Sequence, residues 1–228
     1  LEKLNIHVDI HEAYRYMGCC GALDANLEKE LQNAAKLIEN SAQPRFIEKI
    51  CRIDRSDGIA LIGTCLKLEG KSIAALLHDC EICAIFCATI GNYVEALIRK
   101  WQLKDLAFTA MLDACASSAV ESLCDNIEAK LTEEYRAQDL FLTDRFSPGY
   151  SDLPIFIQHD FCATLDTTRK IGVSVTESGI MIPRKTVTAI IGISKNPQKH
   201  FITNCQDCGL TKACTFKEKG VTCYGQAI

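Results

Sequence analysis

The chain has 228 residues, 48% hydrophobic and 24% charged, with a formal net charge of −4 at pH 7. That length allows one large domain or two small ones around a real core, and the acidic balance argues against a nucleic-acid partner gripped through phosphates. No stretch near Leu1 combines basic residues with an apolar run, so no secretion signal is read; the fourteen cysteines then fit a reducing, cytoplasmic setting, where thiols pack as small hydrophobes.

In chain order, Asp9 is placed to cap a short helix, His11 to Met17, stopped by Gly18. Asp24 precedes a stronger helical run, Leu27 to Ser41, with Leu27, Leu31, Ala34, Ala35 and Ile38 on one face; Pro44 interrupts it. Ile59 to Leu68 reads as a strand closed by Glu69-Gly70, and Lys71 to Leu77 as a helix. The apolar region Ser72 to Ile90 is broken by His78, Asp79 and Glu81, so it reads as a core helix rather than a membrane span. On a helix, Cys80, Cys83 and Cys87 would share a face, as core thiols or as ligands. A further helix runs to Trp101.

Leu106 to about Tyr135 is the longest helix candidate, with a small-residue stretch, Ala114 to Ala119, that permits close approach of a backbone or a ligand. Arg136 to Asp144 connects it to the segment Arg145-Phe-Ser-Pro-Gly-Tyr150. There Pro148 presets φ and Gly149 permits φ > 0, which forces a tight reversal. An arginine beside such a turn can grip a carboxylate with its planar fork. Cys162 to Lys170 reads as a helix, and Ile171 to Thr176 and Val187 to Ser194 as strands. Glu177 ends the first of these, where its carboxylate could meet an ammonium or a ribose hydroxyl. Each piece alone is also explained by ordinary turn chemistry. No repeat, low-complexity tract or linker stands out, so the chain reads as one α+β domain with a small cysteine-bearing tail. Phosphate-loop, dinucleotide, zinc-protease and hydrolase signatures are missing, which suits a protein that presents a reactive ligand to a partner.

Taken together, RFSPGYSDLP from Arg145 to Pro154, VTESGIMIP from Val175 to Pro183, and the strand Val187 to Ser194 resemble the activation domain of cobalamin-dependent methionine synthase. Arg145, Pro148, Gly149, Tyr150 and Pro154 match the first family motif; Thr176, Glu177, Ser178, Met181 and Pro183 match the second. The resemblance is specific over roughly Ala119 to Phe201 and looser elsewhere, where it is to free-standing members of the family. It implies an α+β fold with helices packed on a twisted, mainly antiparallel sheet, over residues 1–202 with a ligand-binding core at about 106–202. It also implies S-adenosylmethionine as ligand, with Arg145 on the carboxylate, Glu121 on the ammonium and Tyr150 near the sulfonium by a cation–π contact. Gly149 and Glu177 belong to the motifs. The family's aromatic pair falls at His200-Phe201, where histidine replaces the first aromatic.

The function implied is reductive remethylation of oxidised cobalamin on a cobalamin-bearing methionine synthase or related corrinoid protein, with an electron from a flavodoxin- or ferredoxin-like donor. No catalytic residue of its own is assigned, and no membrane partner. The alternative is a metal or iron–sulfur accessory protein for another corrinoid methyltransferase. It draws on the tail, residues 203–228, where Cys205, Cys208, Cys214 and Cys223 could close a zinc or iron–sulfur site or stand as reduced surface thiols.

Overall fold

The computed structural model describes residues 5–19 and 21–198. The tail cysteines Cys205, Cys208, Cys214 and Cys223, and His200 and Phe201, lie outside the described residues. The chain divides into two compact units. Unit 1 holds the described residues up to Arg45 together with Ala88–Ile127 and Ile182–Thr186. Unit 2 holds Phe46–Cys87, Glu128–Met181 and the described residues from Val187 onward.

In unit 1, α1 (Ile10–Tyr16) and α2 (Ala25–Ser41) start where sequence says they should. The Asp9 carboxylate accepts from the backbone N–H groups of His11 and Glu12, and that of Asp24 from Asn26 and Leu27, satisfying donors that a helix start leaves open. Leu31, Ala34, Ala35 and Ile38 form the buried stripe of α2, which packs on α1 and on a later helix, α4 (Asn92–Gln102).

Unit 2 is built on a five-stranded sheet in the order β2-β1-β3-β7-β4. Its strands are β1 (Arg45–Asp54), β2 (Ala60–Leu61), β3 (Cys80–Thr89), β4 (Phe141–Leu142) and β7 (Thr186–Ser194). The β1–β2 and β4–β7 pairs are antiparallel. A separate two-stranded piece joins β5 (Ser174–Val175) to β6 (Met181–Ile182). The remaining helices are α3 (Lys71–Leu76), α5 (Leu106–Arg136), α6 (Gln158–Leu165) and α7 (Thr167–Ile171), with a 3-10 turn at Ile155–Ile157. This helix-and-antiparallel-sheet architecture is the one expected.

Three expectations need correction. The apolar run after Asp79 is a strand, not a helix: Ala84 to Thr89 of β3 are all buried, because the strand lies inside the sheet with β1 and β7 as its neighbours and both of its faces are covered. A fully buried strand loses its polar alternation and looks in sequence like a buried helix. Cys80, Cys83 and Cys87 therefore do not share a helix face. Second, Ile59 to Leu68 is not one strand. It folds back at Gly63 (φ +77°), with Leu61 N–H donating to Leu66 O and Leu68 N–H to Ile59 O. Third, the helix expected over Cys162 to Lys170 is two helices, parted at Asp166, whose φ is +55°. The ten-residue β1 was not anticipated at all.

The unit 2 core gathers Leu61, Leu66, Ile73, Leu77, Ile85 and Phe161 with the thiols of Cys51, Cys80, Cys83 and Cys87. Arg55 fixes the entry to β3, donating from Nη2 to Leu77 O at 2.5 Å and to Cys80 O at 2.7 Å. The 31-residue α5 has the length and apolarity of a membrane span, but 56% of its most apolar stretch is buried inside the protein, as in the core helix of a globular domain.

Gly192 marks the tightest packing in the sheet. A Cβ there would lie 2.6 Å from Cys80 Sγ and 2.9 Å from both Leu77 Cδ2 and Thr143 Cγ2, closer than carbon and sulfur tolerate. Gly192→Ala should therefore lower unfolding free energy by about 1–3 kcal/mol through overpacking, read as a shift of the urea midpoint with unchanged slope. An unchanged midpoint would mean that β7 has room to move away from Cys80.

Candidate functional site

The arginine segment of unit 2 is a type II turn. Tyr150 N–H donates to Ser147 O at 3.0 Å, with Pro148 at the second position and Gly149 (φ +85°) at the third, the geometry that Pro-Gly favours. Phe146 anchors it by exchanging two backbone hydrogen bonds with Ile190 of β7, at 2.9 and 2.8 Å. The Tyr150 ring stands edge-on to Phe146, 5.5 Å between centroids, and is 46% exposed.

Arg145 precedes the turn and lies mostly inside, its side chain 22% exposed. Its Nε is 3.1 Å from Oε2 of Glu128 on α5. Sequence reasoning missed Glu128, because its spacing from Arg145 carries no motif. The pair orients the guanidinium.

Glu177 sits exposed at the tip of the β5–β6 hairpin. Gly179 N–H donates to Thr176 O and Thr176 N–H to Ile180 O, both at 2.8 Å, with Gly179 at φ +83°; this is a three-residue hairpin loop ending in a left-handed glycine. The Thr176 hydroxyl adds a bond from Ile180 N–H at 3.0 Å and a contact with the Ser178 hydroxyl. Thr176 and Ser178 thus build the loop that presents Glu177.

The two motifs meet at one side chain. Ile155 Cδ1 lies 3.0 Å from where a Gly149 Cβ would stand, and Ile155 Cγ1 lies 3.6 Å from the corresponding point of Gly179. The turn and the hairpin therefore both pack against Ile155. Asp152, just past the turn, accepts from the backbone N–H groups of Lys71 and Ser72 and so caps α3, fixing the other end of the segment.

In unit 1, Glu121 lines an open cleft of about 630 Å³ together with Tyr16, Ser117, Asp113, Arg184 and Lys185. The Lys185 ammonium contacts Asp113 O, Asp113 Oδ1 and Ser117 Oγ, each at 2.9 Å, so its three donors are all used. Tyr16 Oη donates to Glu12 at 2.9 Å. Burial of the hydroxyl, then the charges of Glu12 and Glu121, push its phenol well above its ordinary range.

No group of three or more His, Cys, Asp or Glu side chains is arranged to hold a metal among the described residues. No family model matches the chain, and no curated protein matches it. Among solved structures, it is similar to the MetH reactivation domain bound to AdoHcy: TM-score 0.61, 14% identity, over 98% of this chain and 84% of that one. The chain has the fold of that domain. At this level of identity, fold is what the likeness establishes, and the site residues stand on the geometry above.

The buried thiols behave as core. Burial pushes Cys80 up to about 11, partly offset by the positive charge of Arg55, and Cys115 up to about 12, with the Glu39 carboxylate adding to it. Both exceed the ordinary 9.0, so the fold favours the neutral thiol. Their stabilising contribution is complete below about pH 9 and is lost as pH rises toward 11–12. At pH 8, iodoacetamide followed by peptide mass mapping should label exposed Cys65 and leave Cys80 and Cys115 unmodified, while the denaturation midpoint should fall above pH 9. Labelling of Cys80 at the rate of Cys65 would mean that β3 opens readily.

Proposed function

We propose that this protein binds S-adenosylmethionine and serves the reductive remethylation of a cobalamin carried by a partner, a methionine synthase or a related corrinoid protein. The observation that carries the reading is the joining of the Arg145–Tyr150 turn and the Thr176–Gly179 hairpin at Ile155, in a fold shared with a reactivation domain solved with AdoHcy. Two sequence motifs that resemble one family are separated along the chain yet packed on one side chain, as parts of a single constructed surface would be.

The chemistry belongs to the ligand and the partner's cofactor. An electron from a flavodoxin- or ferredoxin-like donor takes Co(II) to Co(I), and methyl transfer from the sulfonium to Co(I) leaves methylcobalamin and S-adenosylhomocysteine. No proton is transferred in that step, so no general base is needed from this chain. Its part is to hold and orient the sulfonium. Tyr150, half exposed on the turn, is the candidate for the sulfonium on the family resemblance. Glu121 is the candidate for the ammonium, and Arg145 for the carboxylate on the family resemblance. Gly149 and Glu177 complete the turn and hairpin that frame the ligand.

Calorimetric titration should show the wild type binding both S-adenosylmethionine and S-adenosylhomocysteine. Tyr150→Leu should narrow the preference for the charged sulfonium by about 0.5–2 kcal/mol. Arg145→Ala should cost about 1.5–3 kcal/mol of affinity if it makes a charged hydrogen bond to ligand. Absence of binding by well-folded wild type to either compound would refute the proposal.

A further inference from the structure

Within unit 2, Tyr150 stands between two chain reversals, and the second has its own source of order. The first is the Pro148-Gly149 turn. In the second, Leu153 N–H donates back to Tyr150 O at 3.0 Å, and Gly149 N–H donates to Leu153 O at 2.9 Å. Its central residues are Ser151 and Asp152, and Ser151 has φ +50°. A serine in left-handed backbone persists where its surroundings hold it there. Neither Pro148 nor Gly149 lies at the centre of this second reversal, so the hold comes from elsewhere.

It comes from the first turn of α3. Asp152 Oδ2 accepts from Lys71 N–H at 2.5 Å and Asp152 Oδ1 from Ser72 N–H at 3.1 Å, and the hydroxyls of Ser72 and Ser151 are hydrogen-bonded at 2.9 Å. The N-cap of α3 is Gly70, which has no side chain to offer; Asp152, 81 positions beyond Lys71, satisfies the open donors instead. The bare Cα of Gly70 makes room for it: a Cβ there would lie 2.8 Å from Asp152 Oδ1 and 3.0 Å from Asp152 O. The anchor is itself firm. Ile73 and Leu76 of α3 are buried in the unit 2 core, and Arg55 donates to Leu77 O just past the last turn. A carboxylate at the start of the helix and a guanidinium at its end both suit the helix dipole.

We infer that Asp152 is a positioning residue for the ligand: anchored on α3, it fixes the reversal that sets the backbone of Tyr150, and with it the place of the Tyr150 ring against the sulfonium. This rests on the proposed function for the ligand and for the role of Tyr150. It adds a determinant outside the residues that carry the family resemblance, which match Tyr150 and Pro154 and pass over Asp152.

The test compares S-adenosylmethionine with S-adenosylhomocysteine by calorimetric titration of wild type, Asp152→Ala, Lys71→Pro, Tyr150→Leu and the double variant Asp152→Ala/Tyr150→Leu. The ratio of the two affinities reads the sulfonium contact, and a mere loss of folded protein leaves it unchanged, because both compounds are then affected alike. Lys71→Pro removes a donor to Asp152 from outside the turn, at a helix position that proline suits. A thermal melt checks the folding of each variant. The preference for the sulfonium should narrow about threefold or more in Asp152→Ala, and in the same direction in Lys71→Pro. The double variant should be no narrower than Tyr150→Leu alone, since the two residues act through one contact. An unchanged ratio in folded Asp152→Ala would overturn the inference, as would further narrowing in the double variant; if Asp152→Ala does not fold, Lys71→Pro decides by the same ratio. In each of these cases, wild-type binding would leave the proposed function standing. Wild type that binds both compounds equally would overturn the inference alone, and wild type that binds neither would overturn both.

Discussion

Burial of β3 on both of its faces is the constraint on which unit 2 depends. A strand with β1 on one edge, β7 on the other and a core over it must be apolar nearly throughout, and it must be approached closely. The first demand is met by the run from Ala84 to Thr89 and the second by the bare Cα of Gly192 facing Cys80. Because β7 can lie this close, its residue Ile190 is in register to hold Phe146, and Phe146 in turn fixes the start of the Pro-Gly turn. The geometry of the arginine segment thus descends from packing in the middle of the sheet.

Much of this was legible in the amino-acid order because local chemistry writes it there. Asp9 and Asp24 announce helix starts, and Pro148-Gly149 specifies its turn whatever surrounds it. β3 was misread for the opposite reason: its cysteines, alanines and isoleucines are uniform, and only neighbours reveal whether a uniform run is strand or helix. β1 escaped notice because Glu48, Lys49 and Arg52 interrupt its apolar positions, a pattern that tertiary pairing tolerates and sequence alone does not reward. The hairpin of Gly63 was hidden inside what looked like one strand, since a single glycine does not say which way the chain goes.

The candidate site divides in the same way. Arg145, Gly149, Tyr150 and Glu177 could be found because turns and motifs mark them. Glu128, which holds Arg145, and Ile155, which joins turn to hairpin, have no such mark. Both act through contacts between residues far apart in sequence. Lys185 is accounted for in full, because three acceptors surround its ammonium.

The seat of Ile155 between Gly149 and Gly179 has an evolutionary consequence. Both glycines occupy left-handed backbone that other residues adopt only under strain, so neither can yield space. Position 155 therefore inherits a constraint on size from two loops at once, while a much smaller side chain would forfeit its contact with both. Drift at this site should be confined to branched aliphatic residues, and a departure from that range in a related chain would signal that one of the two loops had been rebuilt.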